Sequence, residues 1–284
     1  MPIIIDPNVP NPAPPERMTS PDGILTAYQV NDGILLVAQF GDPATPTSWP
    51  DKVRFTRRPN VLVRSGNDAW AVGGQAVAYD MEAPLGQSAV WHAIPIDHNG
   101  VAGDSSEGVG LANTKPTEPY NSWLKSIVQP ELSMPVFFTN ESLPSWSYAA
   151  RNTLSQVQGS PYPAGGRDKH MAAEITLSAY TDPDVDQQQM LQLLTSGPLL
   201  FQTDPDYNEP DFYAIVGDLT RSLAGTMANG ARKWEIPLTT IARPSPYGAP
   251  LWIPGRTLND TQQGTLALRQ QVFPLVGDTL RIPA

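Results

Sequence analysis

The sequence predicts a mainly β protein with two successive domains, the second of which carries one short helix. Its 284 residues contain 31 prolines and 22 glycines, a share typical of a chain with many turns. Short apolar or alternating segments recur between these turn residues, and such spacing favours strands over long helices. The length exceeds what a single hydrophobic core usually covers, so we expect two domains.

Residues 1–19 form a predicted arm that is rich in proline. Proline fixes φ and has no amide hydrogen, so such a segment favours an extended conformation and does not join the interior of a sheet. The apolar triplet Ile3-Ile4-Ile5 precedes these prolines, and we expect it to dock on a neighbouring molecule. No apolar run approaches the roughly 18 to 20 residues that span a bilayer, so no membrane insertion is expected.

Residues 20–115 are predicted to form a small β-sandwich. The segment 33–40 has the apolar run of a buried strand, and the segment 88–95 alternates so that Ala89, Trp91 and Ala93 share one face. We expect Trp91 to fill the core. The pair Gly73-Gly74 indicates a turn or a bulge. The other predicted strands cover residues 52–56, 60–64, 69–72 and 75–79.

Residues 116–249 are predicted to form a second β domain with one short helix. The segment 172–180 alternates Ala173, Ile175 and Leu177 with polar residues, which is typical of a half-buried strand. A helix is predicted over residues 184–195, with Met190, Leu191 and Leu194 on one face and a stop at Gly197. Further strands are predicted over residues 198–202, 211–216 and 232–242. Residues 250–284 form a C-terminal tail to which we assign no structure.

The residue types needed for common catalytic and metal sites do not occur in the required patterns. The chain has no cysteine and three histidines, and it lacks the Gly-x-Ser-x-Gly elbow of serine hydrolases and any phosphate-binding loop. The acidic segment 182–186 begins like a calcium loop, but Gln187 stands where that loop needs glycine, so helix capping explains it better. We therefore expect no enzyme activity, no cofactor and no bound metal. The net charge of −10 argues against a nucleic-acid partner.

The densest group of basic residues contains Arg54, Arg57 and Arg58, with Lys52 and Arg64 close by in sequence. In an acidic chain, this group has the charge needed to face an acidic partner surface. We therefore take the three arginines as candidate assembly contacts. The alternative is a solvated strand face with an Arg-Arg turn, and the sequence leaves it open.

Two motifs resemble a known family. Tyr79-Asp-Met-Glu-Ala-Pro-Leu-Gly86, followed by Val90-Trp-His-Ala93, and then Asn121-Ser-Trp-Leu-Lys-Ser126 resemble segments of the minor tail proteins, or distal tail proteins, of long-tailed (siphovirus) actinobacteriophages. The spacing of Leu191, Leu194 and Gly197, and the strand that ends at Arg243-Pro244, are also similar to that family. Trp91 stands where tyrosine is usual there, and the proline expected soon after Ser126 arrives at Pro130.

The resemblance implies a fibronectin type III-like β-sandwich followed by a tail-tube-like β domain with one short helix. It also implies a structural role at the distal end of the phage tail, in virions assembled from protein made in the host cytoplasm. The implied partners are further copies of the chain in a hexameric or trimeric ring, the tail tube protein, other tail-tip or hub proteins and the tape measure protein. The motif residues with implied structural roles are Tyr79, Asp80, Glu82, Pro84, Gly86, Trp91 and Trp123.

The aromatic content supports one alternative function. Seven tryptophans and nine tyrosines provide candidates for a sugar-stacking platform, so the chain is alternatively a carbohydrate-binding tail protein that contacts the host cell surface. On this hypothesis Trp70 and Trp91 are the residues to test.

Overall fold

The computed structural model describes most of the chain between residues 16 and 246. Its described residues are 16–30, 32–41, 49–116, 120–130, 132–138, 147–148, 152–156, 158, 161, 164–167, 172–181, 187–207, 210–224 and 230–246. These residues form eighteen strands and one α-helix, which confirms the mainly β prediction. The triplet Ile3–Ile5 and the tail 250–284 lie outside them.

The described residues divide into two compact units. Among the described residues, unit 1 contains those from 16 to 80 together with Ser88–Ala112, and unit 2 contains Met81–Gln87 together with those from 113 to 246. A short segment of seven residues, Met81–Gln87, therefore belongs to unit 2 although its flanking strands belong to unit 1.

Unit 1 contains two antiparallel sheets. The first has the order β1-β2-β3-β7. It is built from β1 (Arg17–Thr19), β2 (Leu25–Val30), β3 (Gly33–Gln39) and β7 (Gln75–Asp80). The prediction of a buried strand at 33–40 is confirmed, because nearly every residue of β3 is buried. The C-terminal end of the predicted arm forms β1, which is exposed and pairs only along the sheet edge.

The second sheet of unit 1 has the order β5-β4-β8-β9, and β6 also pairs with β4. Its strands are β4 (Lys52–Arg57), β5 (Val61–Leu62), β6 (Ala69–Trp70), β8 (Ser88–Ile96) and β9 (Val109–Ala112). Trp91 and Ala93 of β8 are fully buried, as their alternation predicts. Val72 and Gln75 pair across Gly73-Gly74, whose positive φ angles of 62° and 75° confirm the predicted turn.

The strand predicted at 60–64 is shorter than expected. It ends at Leu62, and Arg64–Gly66 forms a 3-10 helix. The reason is a side-chain contact: Ser65 Oγ accepts a hydrogen bond from the Tyr79 amide at 2.8 Å and donates one to the Tyr79 carbonyl at 2.9 Å. Ser65 thus bonds to both main-chain groups of Tyr79, which a neighbouring strand would otherwise do.

Unit 2 contains a closed six-stranded antiparallel barrel. The order β14-β11-β10-β15-β16-β18 closes on itself because β14 also pairs with β18 over eight residue pairs. The barrel strands are β10 (Ser122–Ser126), β11 (Ser133–Phe138), β14 (Glu174–Thr181), β15 (Leu199–Thr203), β16 (Phe212–Val216) and β18 (Arg232–Ile241). The predicted inward residues of β14 and β18, such as Leu177 and Trp234, are buried in its core. The sequence did not predict β10 or β11 as strands.

Two further elements of unit 2 extend the sheet structure. A separate hairpin consists of β12 (Asn152–Ser155) and β13 (Ala164–Arg167). The strand β17 (Thr220–Leu223) pairs with the first half of β18. Between β16 and β17, the three residues 217–219 face only two residues of β18, which is a β-bulge. Pro237 lies at this bulge, where a strand tolerates a residue without an amide hydrogen.

The helix α1 (Gln187–Thr195) belongs to the core of unit 2. Its buried residues are Met190, Leu193 and Leu194, whereas Leu191 is 43% exposed. The predicted face was therefore wrong at Leu191, because the helix is rotated so that Leu193 replaces it in the core. Residues 182–186, which carry the predicted cap, lie outside the described residues. In the described part of the chain, no helix has the length and apolarity to cross a membrane.

Candidate functional site

The residues of the Tyr79-to-Gly86 motif are divided between the two units. Tyr79 and Asp80 end β7 in unit 1, whereas Met81 to Gly86 belong to unit 2. We refer to Met81–Gln87 as the clamp segment. Each part of the motif makes contacts within its own unit, and these contacts are described in turn.

Tyr79 is held by buried hydrogen bonds in unit 1. Its hydroxyl donates to Asp32 Oδ1 at 2.7 Å, and the side chain is 3% exposed. Burial raises the pKa of Tyr79 well above its ordinary value, and the negative charge of Asp32 raises it further. A Cβ atom at Gly33 would lie 2.6 Å from the Tyr79 hydroxyl oxygen, so glycine there makes room for the ring.

Asp80 connects two strands of the second sheet of unit 1. Its Oδ2 atom accepts hydrogen bonds from Arg57 Nη1 at 2.7 Å and from Trp91 Nε1 at 2.9 Å. The Asp80 side chain is 2% exposed and that of Arg57 is 14% exposed, so the ion pair is largely shielded from water. Arg57, a predicted assembly contact, therefore pairs with a motif residue inside its own unit.

Main-chain carbonyls of the clamp segment accept hydrogen bonds from polar side chains of unit 2. Lys125 of β10 is fully buried, and its Nζ atom donates to the Met81 carbonyl at 2.8 Å. The Ala83 carbonyl accepts from Asn113 Nδ2 and from Gln202 Nε2, both at 3.0 Å. These three donors fix the path of the segment at two nearby carbonyls.

The remaining residues of the motif form the turn that ends the clamp segment. The Gly86 amide donates to the Asn113 carbonyl at 2.9 Å, and Gly86 has a φ angle of 60°. A Cβ atom there would lie 2.7 Å from Lys115 Cε, so both conformation and space favour glycine. Pro84 precedes this turn in sequence. The predicted strand-ending turn at Pro84, Leu85 and Gly86 is therefore part of unit 2.

Glu82 of the clamp segment pairs with Arg243, which follows β18. Arg243 Nε donates to Glu82 Oε2 at 3.1 Å, and the Glu82 side chain is 2% exposed. Burial lowers the pKa of Arg243, but the Glu82 carboxylate outweighs this effect and the net pKa is raised. Tyr213 of β16 joins the group. Its pKa is raised first by burial and then by the adjacent Glu82 carboxylate.

The outer face of β10 and β15 next to the clamp segment contains buried polar atoms without a hydrogen-bond partner. Trp123 Nε1 and Gln202 Oε1 belong to residues that are directly opposite each other on the two strands. Ser122 Oγ, which is on the other face of β10 with Leu124, also has no partner. Lys125 Nζ lies 5.8 Å from the centroid of the Trp123 ring. Trp123, the motif residue of the second string, thus lies beside the lysine that binds the clamp segment.

The other two predicted assembly arginines also have partners in unit 1. Arg54 donates to Asp68 Oδ1 from Nη2 at 2.7 Å and from Nε at 3.0 Å. Arg58 Nε donates to His92 Nε2 at 3.1 Å. His92 Nδ1 lies 3.1 Å from the Ser106 carbonyl oxygen. All three arginines are therefore bonded within the unit, and their role as assembly contacts stays a prediction.

Trp70 is the most exposed large hydrophobic residue of the described chain at 72% exposure. Lys52 Nζ lies 4.8 Å from the centroid of its ring. Trp91, by contrast, is fully buried and lies in the core, as predicted. Among the described residues, no three histidine or carboxylate side chains are grouped to hold a metal ion.

Three residues that bond to the Tyr79-to-Gly86 motif were not identified as its partners from the sequence. They are Lys125, Asp32 and Arg243. Asp32 lies in a turn sequence before Gly33, and Arg243 ends the last motif string, but neither position indicates its partner. Lys125 lies between Leu124 and Ser126, and no local pattern predicts a fully buried lysine there. Comparison with known proteins adds no further assignment, since no family model and no curated protein matches the chain significantly.

Proposed function

We propose that the chain is a structural subunit of a bacteriophage tail tip, which forms a ring that joins the tail tube to the distal baseplate or host-recognition apparatus. In this proposal, unit 1 is a fibronectin type III-like sandwich and unit 2 is a tail-tube-like barrel with one flanking helix. The ring contains six or three copies at the distal end of the tail. Its neighbours are the tail tube protein, other tail-tip or hub proteins and the tape measure protein.

The observation that supports the proposal is that the charged motif residues bond to other residues inside their own unit. Asp80 joins β4 and β8 through Arg57 and Trp91, and Glu82 joins the clamp segment to Arg243. These ionisable groups form ion pairs with one another within their own units. Such an arrangement serves shape and assembly, so we assign the chain no catalytic activity.

The test of this proposal is the oligomeric state of the full chain. We expect mass photometry to detect one closed oligomer of six or three copies, and negative-stain images to show cyclic symmetry. The measurement is repeated with tail tube protein, which we expect to shift the population further toward rings. A chain that stays monomeric over the accessible concentration range, alone and with tail tube protein, contradicts the proposal.

The exposed Trp70 favours carbohydrate binding as a second candidate function. An exposed aromatic face beside a cation is suited to stacking against a sugar ring. On this hypothesis the full chain binds glycans of the host surface on an array, and Trp70→Ala abolishes binding without loss of fold. Met18→Ala, which removes another exposed hydrophobic side chain, is the control. Equal glycan binding by Trp70→Ala and the wild type contradicts this function.

A further inference from the structure

The β17–β18 hairpin has an open outer edge. The Ala224 amide donates to the Ala231 carbonyl at 2.9 Å, in register with the β17–β18 pairs. Main-chain groups alternate in direction along an antiparallel strand, so Thr220 and Ser222 also point toward β18. The amides and carbonyls of Arg221 and Leu223 therefore point away from it. Among the described strands, β17 pairs only with β18. β15 pairs with β16, the strand before β17, only from Phe212 to Ala214.

The side chains at this edge are cationic and apolar. All four residues of β17 are exposed, and Leu223 is 41% exposed. A groove of about 260 Å³ is lined by Arg221, Ser222, Leu223 and Arg232. Arg221 lies over the Trp234 ring at 5.6 Å, and Arg232 donates to the main-chain carbonyls of Gly230 and Ala231. Within the described residues, no carboxylate forms an ion pair with either guanidinium.

We infer that the segment from Ile3 to Asp6 of a second copy of this chain adds to the outer edge of β17 as a further strand. This inference rests on the proposed ring assembly and names the site at which neighbouring copies join. Isoleucine has a high preference for strands, and the free main-chain groups of Arg221 and Leu223 are the donors and acceptors that an added strand needs. The Asp6 carboxylate complements the charges of Arg221 and Arg232.

The arm has the length and stiffness to reach another molecule. Five prolines stand between Asp6 and Glu16, at positions 7, 10, 12, 14 and 15. A proline-rich segment extends by about 3.1 Å per residue, so these ten steps span roughly 30 Å. A spacer of this length is sufficient for the apolar triplet of one copy to reach a neighbouring copy.

The absence of cysteine from the chain allows a direct test by disulfide formation. Two full-length variants, Ile5→Cys and Ser222→Cys, are mixed in equal amounts and oxidised mildly, since Ile5 opposite Ser222 places Asp6 on the face that carries Arg221 and Arg232. A strand residue opposite Ser222 on the outer edge belongs to a non-hydrogen-bonded pair, whose Cα atoms are about 4.5 Å apart and within disulfide range. We expect a disulfide-linked heterodimer of the two variants on non-reducing gels, verified by mass spectrometry. In the control mixture, Met18→Cys on the exposed edge strand β1 replaces Ser222→Cys.

The inference is supported if the yield of this heterodimer exceeds that of the control mixture at least about tenfold, a free-energy difference of about 1.4 kcal/mol. Arg221→Glu in the Ser222→Cys chain should reduce the heterodimer, and Asp6→Arg in the Ile5→Cys chain should restore it. Arg221→Gln removes the charge without reversing it and is the control for a folding defect in Arg221→Glu. Equal yields with Met18→Cys, no heterodimer, or closure within single chains of the Ile5→Cys/Ser222→Cys double variant overturns the inference.

The same samples separate this inference from the proposed function. Mass photometry of the wild-type chain under the same conditions reports ring formation independently of any cross-link. Rings without the heterodimer of Ile5→Cys and Ser222→Cys overturn docking at β17 and leave the ring assembly supported. A monomeric wild-type chain overturns both, because the occupant of the edge is then not a second copy.

Discussion

At the residue scale, Asp80 shows how a single carboxylate organises unit 1. It accepts hydrogen bonds from a guanidinium and from an indole, and both donors would lose their acceptor in its absence. The Trp91 ring itself is fully buried. The alternation of residues 88–95 predicted the burial of Trp91, but no local pattern connects it to Asp80.

Replacing Asp80 by alanine tests how much these hydrogen bonds contribute to the free energy of unfolding. We expect Asp80→Ala to lower the free energy of unfolding by about 3 to 5 kcal/mol, since it leaves a largely buried charge unpaired. Asp68→Ala removes the matched ion pair with Arg54, whose side chains are 35% and 39% exposed. We expect that control to cost about 0 to 1 kcal/mol. Urea unfolding measures both, and equal effects of the two substitutions contradict the argument.

Asp22 makes unit 1 sensitive to acid. Its carboxylate accepts from the Ile24 amide at 3.0 Å and from the Glu107 amide at 2.6 Å. Desolvation raises the pKa of Asp22, but hydrogen bonds from Ser20, Glu107 and Ile24 outweigh it, so the pKa lies below the ordinary 3.8. A depressed folded-state pKa stabilises the fold above the unfolded-state value, and this stabilisation is lost as pH falls through the folded-state pKa.

The predicted consequence is a pH-dependent difference between the wild type and Asp22→Asn. We expect a constant difference in unfolding free energy above about pH 5 and a difference that shrinks as the pH falls toward about 2. Asp104→Asn, at an exposed residue of the same unit, is the control. Thermal unfolding monitored by circular dichroism at several pH values measures the effect. A difference for Asp22→Asn that does not change with pH contradicts it.

At the scale of elements, the helix α1 illustrates how packing decides which face is buried. Leu191 and Leu193 are both leucines of the same helix, and the sequence pattern favoured Leu191 for the core. In the structure Leu193 is fully buried with Met190, and Leu191 is 43% exposed. A nine-residue helix is short, so its apolar pattern fits more than one rotation, and contact with the barrel core selects one.

The two leucines provide a matched pair of substitutions. We expect Leu193→Ala to destabilise the protein by about 2 to 5 kcal/mol, because it leaves a cavity beside the barrel core. Leu191→Ala should change stability by no more than about 0.5 kcal/mol, since its side chain is already solvated. Thermal unfolding followed by circular dichroism distinguishes them. A larger loss for Leu191→Ala would show that the helix face is assigned incorrectly.

At the scale of the whole molecule, the course of the chain between the units differs from a simple succession of domains. The sequence predicts one boundary near residue 115, whereas the clamp segment Met81–Gln87 belongs to unit 2. Asp80 and Glu82 are two residues apart, but Asp80 bonds within unit 1 and Glu82 bonds within unit 2. Fragments cut near residue 115 therefore separate the barrel from a segment that it binds.

Hydrogen exchange of the full chain tests this division. We expect Glu82→Ala to increase amide exchange in β10, β15 and β16, because it removes the partner of Arg243 and weakens the clamp. Asp80→Ala should instead increase exchange in β4, β7 and β8. The two variants serve as controls for each other. The same exchange pattern in both variants would contradict the assignment of Glu82 to unit 2.

The sequence by itself determined the mainly β class, the turn at Gly73-Gly74, and the buried faces of β8, β14 and β18. These features follow from period-two alternation and from residues with special backbone preferences, which act over a few neighbouring positions. Only the tertiary structure decided the closure of the barrel, the rotation of α1 and the placement of the clamp segment. Glu82 and Arg243 are 161 positions apart, and such a contact depends on how distant strands pair and not on the residues beside it.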